Sequence, residues 1–184
     1  MPVCTSRARA FRHLPALALP ALLGLSGCFG PDRDQFAPAC PAVSALPTAG
    51  DVTIFRPGGG RDLTDVQLQG RIISAAGSCK AGEAKNTVHA EIRVSMQFQR
   101  GPAAPTRQAN VPYFVAVSKG ETILDKTIRA VQVNFPANVE TAAATTAPIQ
   151  MTLPVGPSQS AAAYTVWVGF QLAPPGHPIA GASR

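Results

Sequence analysis

The chain has 184 residues, room for one ordinary domain and too few for two comfortable ones. Charged residues make up 14% and aromatic residues 6%, against 46% hydrophobic, with 18 Pro and 16 Gly. That balance excludes long exposed helices, which need Glu, Lys and Arg on their wet faces, and favours short strands joined by turns. The +6 formal charge does not point to nucleic acid: Arg7, Arg9 and Arg12 precede any acidic residue, and without them 13 cations face 10 acids, a balance of +3.

Those three arginines are followed by an apolar run, Leu14 to Leu25, and then by small residues before Cys28. A positive segment, an apolar segment and small residues in that order are the pattern of a secretory signal. The run is shorter than the ~20 residues that span a bilayer, and Pro15 and Pro20 interrupt it. Residues 1–27 are therefore expected to be a cleaved signal peptide. The junction Leu25-Ser26-Gly27-Cys28 resembles the lipobox of bacterial lipoproteins. The resemblance implies acylation of the Cys28 thiol, cleavage just before it and acylation of the new amino group. More than one acyl chain gives stable anchoring, at about 0.8 kcal/mol per buried methylene. Phe29 stands where the best-studied lipoproteins retained in the inner membrane carry Asp, so the resemblance favours the outer membrane.

Residues 28–50 hold four prolines and no periodicity, and are expected to form a tether, with a helical turn at most over Ala42 to Leu46. Cys4 departs with the signal and Cys28 is assigned to lipid, leaving Cys40 and Cys79. In an oxidising compartment they are expected to pair as a disulfide; two free thiols or a metal pair are the alternatives, and no CxxC or nearby His supports metal.

The β domain is expected over residues 51–172. Its first strand, Val52 to Phe55, leads into Arg56-Pro57-Gly58-Gly59-Gly60-Arg61-Asp62. Exposed N–H groups at Gly58, Gly59 and Gly60 beside Arg56 and Arg61 suit a bound anion. The simpler account is a turn between strands, with the arginines paired to Asp62 or Asp65. The loop has no Gly-Lys-Ser/Thr ending and opens no helix, unlike a P-loop. Strands follow at Val66 to Ser74 and at Val88 to Gln99, where Val88, Ala90, Ile92, Val94, Met96 and Phe98 alternate with polar residues. His89 and Glu91 share the wet face of that strand, but two ligands do not make a metal site.

Arg100 to Asn110 is expected as a loop. Tyr113 to Val117 and Thr122 to Phe135 should pair as a hairpin about Ser118-Lys119-Gly120-Glu121, with Gly120 at positive φ. Thr141 to Ala147 is given one helical turn, Ile149 to Leu153 and Tyr164 to Leu172 are strands, and residues 173–184 form a disordered tail. Trp167 falls on the opposite face from Val166 and Val168; it marks either a contact site or a second buried sheet face.

About seven strands separated by Gly, Pro, Ser and Asn make an all-β sandwich. The approach Leu153-Pro154 to Tyr164-Thr165-Val166-Trp167-Val168 resembles that of immunoglobulin and fibronectin type III domains, which implies a tyrosine corner, although the gap is longer here and no strand follows Leu172. Taken whole, the stretches Phe55 to Asp65, Gly77-Ser78-Cys79, Val111 to Val117 and Tyr164 to Phe170 resemble an uncharacterised group of proteobacterial envelope lipoproteins. The resemblance supports fold and location and implies no activity. With no Gly-x-Ser-x-Gly, Cys–His pair or His-Glu-x-x-His, the chain is expected to be a non-enzymatic, lipid-anchored binding or scaffolding module without a cofactor. Its expected partners are the membrane, through Cys28, and an envelope protein. The alternative is a periplasmic carrier or sensor of a small anionic or lipidic ligand.

Overall fold

The computed structural model describes residues 39–156 and 159–171. The signal peptide, Cys28, the first part of the tether and the tail from 173 lie outside the described residues.

Nine strands build two sheets packed face to face, an all-β sandwich. The strands are β1 (Ala42–Ala45), β2 (Asp51–Phe55), β3 (Val66–Ala81), β4 (Thr87–Arg100), β5 (Gln108–Lys119), β6 (Thr122–Asn134), β7 (Thr141–Thr145), β8 (Ile149–Pro154) and β9 (Tyr164–Phe170). One sheet has the order β1-β9-β5-β6; the other runs β2-β3-β4-β7, with β8 also on β4. Strands β7 and β8 divide one edge of β4 between them, Thr141–Thr145 facing Ser95–Gln99 and Ile149–Pro154 facing Thr87–Ile92.

The period-2 pattern sets which side chains face inward. Along β4, Val88, Ala90, Ile92, Val94, Met96 and Phe98 are all buried, as alternation on a half-covered strand requires. They meet Val111, Tyr113, Val115 and Val117 of β5 and Tyr164, Val166, Val168 and Phe170 of β9 in one core. Phe98 and Phe170 pack edge to face, with ring centroids 5.9 Å apart. Gly70 makes room for this pair, since a Cβ there would lie 2.7 Å from the Phe98 ring.

A bulge in β3 decides the position of the disulfide. Ile72 faces Met96 and Ser74 faces Ser95, so Ile73 is the extra residue. Before the bulge Leu68, Gly70 and Ile72 point inward; after it the phase reverses and Ala75, Gly77 and Cys79 take the inward side. Cys79 thereby bonds to Cys40, just before β1 of the other sheet, with Cα atoms 5.7 Å apart. The bridge links the two sheets at one edge.

Two expected helical turns are strands instead. Ala42–Ala45 pairs in parallel with β9, so the tether expected over 28–50 ends earlier and the sandwich starts before Asp51. Leu46 N extends the pairing to Val168 O at 2.8 Å, and Pro47–Ala49 forms a 3-10 turn. Thr141–Thr145 is β7, so the strand count is nine among the described residues rather than about seven.

The tyrosine corner is made despite its longer approach. The Tyr164 hydroxyl donates to Pro154 O at 2.8 Å and accepts from Gln159 Nε2, which also donates to Pro154 O at 3.1 Å. Gly120 has φ 59° at the β5–β6 turn, as its place in the hairpin demands. Pro112 sits in β5 without an N–H to give; it lies one residue beyond the β5–β9 ladder, where its carbonyl accepts from Gln171 N at 3.0 Å.

Candidate functional site

Arg56 to Asp65 is the loop joining β2 to β3, and it is built around a carboxylate of its own. Asp65 is only 7% exposed. Its Oδ1 accepts from Arg56 Nη2 at 2.5 Å and its Oδ2 accepts from Gly60 N at 2.8 Å. Arg56 N donates to Asp65 O at 2.8 Å, closing the loop at its neck. Gly58 has φ 73°, and a Cβ on Gly59 would stand 2.9 Å from Asp65 Oδ1. The glycines therefore let the backbone wrap an internal anion. Arg56 and the Gly60 N–H are engaged by Asp65, so an external anion at Arg56, Gly58, Gly59, Gly60 and Arg61 would have to displace it. Arg61 makes no ion pair among the described residues.

Trp167 lies in a small second cluster on the outer face of the β1-β9-β5-β6 sheet. It packs with Leu46, Ala49, Phe114 and Ala116, and its Nε1 donates to the Oγ of buried Ser118 at 3.0 Å. Gly169 admits Phe114, whose ring would lie 2.6 Å from a Cβ there. The segment after β1 covers this part of the sheet, so β5 is buried on both faces from Val111 to Ser118. Of the two accounts of Trp167, the structure displays the covered second face.

On β4, Glu91 is paired with Arg93 at 3.0 Å, and His89 is half-buried on the same face. Among the described residues no three His, Cys, Asp or Glu side chains gather as a metal site would require. Glu140 bridges Arg100 at 3.1 Å and Arg107 at 3.4 Å, and its carboxyl is held below the usual glutamate range, chiefly by the hydrogen bond from Arg100. Burial pushes the Tyr113 phenol up. A depression of about 480 Å³ on the outer face of the other sheet is lined by Asp51, Thr53, Gln69, Arg71, Gln97 and Gln99, with Asp51 and Arg71 already paired at 2.6 Å.

The least covered element is β6. Among the described residues it is the edge of its sheet, bonded to β5 on one side only. Every residue from Thr122 to Ala130 is exposed, including Ile123 at 64%, Leu124 at 54% and Ile128 at 58%. Only its far end turns into the core, through Val131 and Val133. Asp125, Thr127 and Arg129 stand opposite Val117, Val115 and Tyr113 on one face; Lys126 and Ile128 stand opposite Ala116 and Phe114 on the other. The Lys126 ammonium sits 4.6 Å from the Phe114 ring centroid. Asp125 and Arg129 make no ion pair among the described residues. Sequence reasoning took this segment as one more strand; the signal it passed over is that Ile123, Leu124 and Ile128 break the period-2 rule that half-buried strands keep.

No protein-family model, no curated protein and no solved structure matches the chain.

Proposed function

We propose that the chain is a lipid-anchored, non-catalytic interaction module of the bacterial cell envelope, attached through an acylated Cys28 to the outer membrane and facing the periplasm. The observation that carries the interaction role is the edge strand β6, with three large exposed apolar side chains and a hydrogen-bonding edge that no other strand among the described residues occupies. The polar groups that suggested chemistry are used structurally: Asp65 with Arg56, Glu91 with Arg93, and Cys40 with Cys79. The space between the sheets is filled by side chains of the core. The attachment rests on the lipobox at Leu25 to Cys28.

A photo-cross-linking residue at Ile128 of the full chain, expressed in its envelope, should give protein adducts. The same residue at Gln97, exposed in the middle of a sheet face, should not. Equal yields at both positions would remove β6 as the contact surface. Cys28→Ser should release the protein from the membrane fraction, and retention there would remove the anchor.

A further inference from the structure

We propose that β6 pairs with β6 of a second copy of this chain, antiparallel about a two-fold axis through Thr127, joining two four-stranded sheets into one. This rests on the reading of the chain as an interaction module and names its partner. An exposed edge strand accepts another strand through its unpaired backbone groups, and natural edges avoid doing so with charges that repel a like strand. Here the charges match. An antiparallel pair centred on Thr127 sets Asp125 opposite Arg129 of the second copy, and by symmetry Arg129 opposite its Asp125.

The register is specific. Moving the axis one residue, to Ile128, would set Arg129 opposite Thr127 and Asp125 opposite Val131, leaving both charges unmatched. With the axis on Lys126, Asp125 would face Thr127 and lose its cation. Within one copy Asp125 and Arg129 are four residues apart along the strand, about 13 Å, too far to pair with each other. Both remain without an ion pair, whereas Arg56, Arg71, Arg93, Arg100 and Arg107 each have one. On the other face the axis at Thr127 places Ile128 beside the Lys126 stem of the second copy. The Lys126 charge is drawn back over Phe114, away from the edge. Half-exposed Ile128 thus gains an apolar neighbour, while no like charges meet.

A two-fold axis through one residue has a direct chemical test. Residues directly opposed on antiparallel strands have Cα atoms about 4.5–5.5 Å apart, inside the range a disulfide spans. In the full chain, Thr127→Cys should form a reducible dimer on mild oxidation. Thr122→Cys, as exposed and on the same strand, should not, because its copy lies ten residues away across the axis. Co-expressed Asp125→Cys and Arg129→Cys chains should cross-link to each other. A second measurement needs no cysteine: by sedimentation, Asp125→Arg or Arg129→Asp should raise the dimer dissociation constant about tenfold, and the double exchange should restore it. Equal cross-linking at Thr122 and Thr127, none at either, or a double exchange as weak as the single ones would overturn the pairing. Adducts from Ile128 to a different protein, together with no cross-link at Thr127, would overturn self-pairing while leaving the interaction role of β6 standing.

Discussion

Replacing Asp65 with Ala would remove the anion around which the triglycine loop is wound. The carboxylate accepts from Gly60 N at 2.8 Å and from Arg56 Nη2 at 2.5 Å. A hydrogen bond to a charged acceptor contributes about 1.5–3 kcal/mol, and because Gly60 is itself exposed the lower end applies. The Arg56 side chain is 60% exposed, so its ion pair adds at most about 1 kcal/mol. A loss of about 2 kcal/mol follows, equivalent to a fall of about 10 °C in Tm for a domain of this size. Scanning calorimetry of the wild type and Asp65→Ala, with phosphate rising at constant ionic strength, separates the two accounts of the loop. In the variant Arg56 and the Gly60 N–H are vacated, and phosphate should recover part of the lost stability by binding the native state alone. The wild type should not respond, because Asp65 already fills the site. Asp65→Asn keeps an acceptor for Gly60 and should lose less than Asp65→Ala. Stabilisation of the wild type by phosphate as large as that of the variant would refute the assignment of Asp65 as the loop's anion.

Three further outcomes are expected. Changing Cys40 and Cys79 together to Ala should cost about 4 kcal/mol in urea unfolding, the chain-entropy value for a loop of 39 residues. Tyr164→Phe, which deletes a hydroxyl 2.8 Å from Pro154 O on a side chain only 2% exposed, should cost about 1–2 kcal/mol by the same measurement. For Glu140 the native carboxyl pKa lies below its ordinary value of 4.5. Its contribution to stability is therefore complete above that ordinary value and is lost as pH falls through the depressed native one. Glu140→Gln should flatten the acid side of the stability profile and leave the neutral region nearly parallel to wild type.

The elements legible in the sequence are those whose two faces differ in chemistry. In β4 the contrast of Ile92, Val94, Met96 and Phe98 with Arg93, Ser95, Gln97 and Gln99 identifies both the strand and its buried side. Strand β7 has no such contrast: Ala142, Ala143 and Ala144 stand in a row, and hydropathy cannot tell the half-buried 142 and 144 from the exposed 143. Pairing with Ser95–Gln99 imposes the extended form that alanine does not itself favour. The end of β3, Ala75 to Ala81, fails for the same reason, and the bulge at Ile73 also reverses its phase. A pattern followed from Val66 would therefore place Cys79 on the wrong face. In the triglycine loop the donors and the pairing of its arginines with Asp62 or Asp65 were legible; the choice of Asp65 was not, because it lies nine positions from Arg56 and becomes its neighbour only when the loop closes.

What no period can report is which strand stands at the edge of a sheet, because that depends on pairings between distant segments. Strand β5 carries Val111 to Val117 because it lies between β6 and β9 under a covered outer face; a strand buried on both sides selects apolar residues at every position. Strand β6 is next in sequence and pairs along nearly its whole length with β5, yet among the described residues it has no second neighbour in its sheet. Its mixture of Ile123, Leu124 and Ile128 with Asp125, Lys126 and Arg129 is too polar for a central strand and too apolar for a strand that only meets water. That mixture fits a strand whose second neighbour is another chain. The charges then restrict which chain and which register, and the apolar side chains supply the contact. Topology therefore turns a segment that the sequence presents as an ordinary hairpin arm into the most distinctive surface of the sandwich.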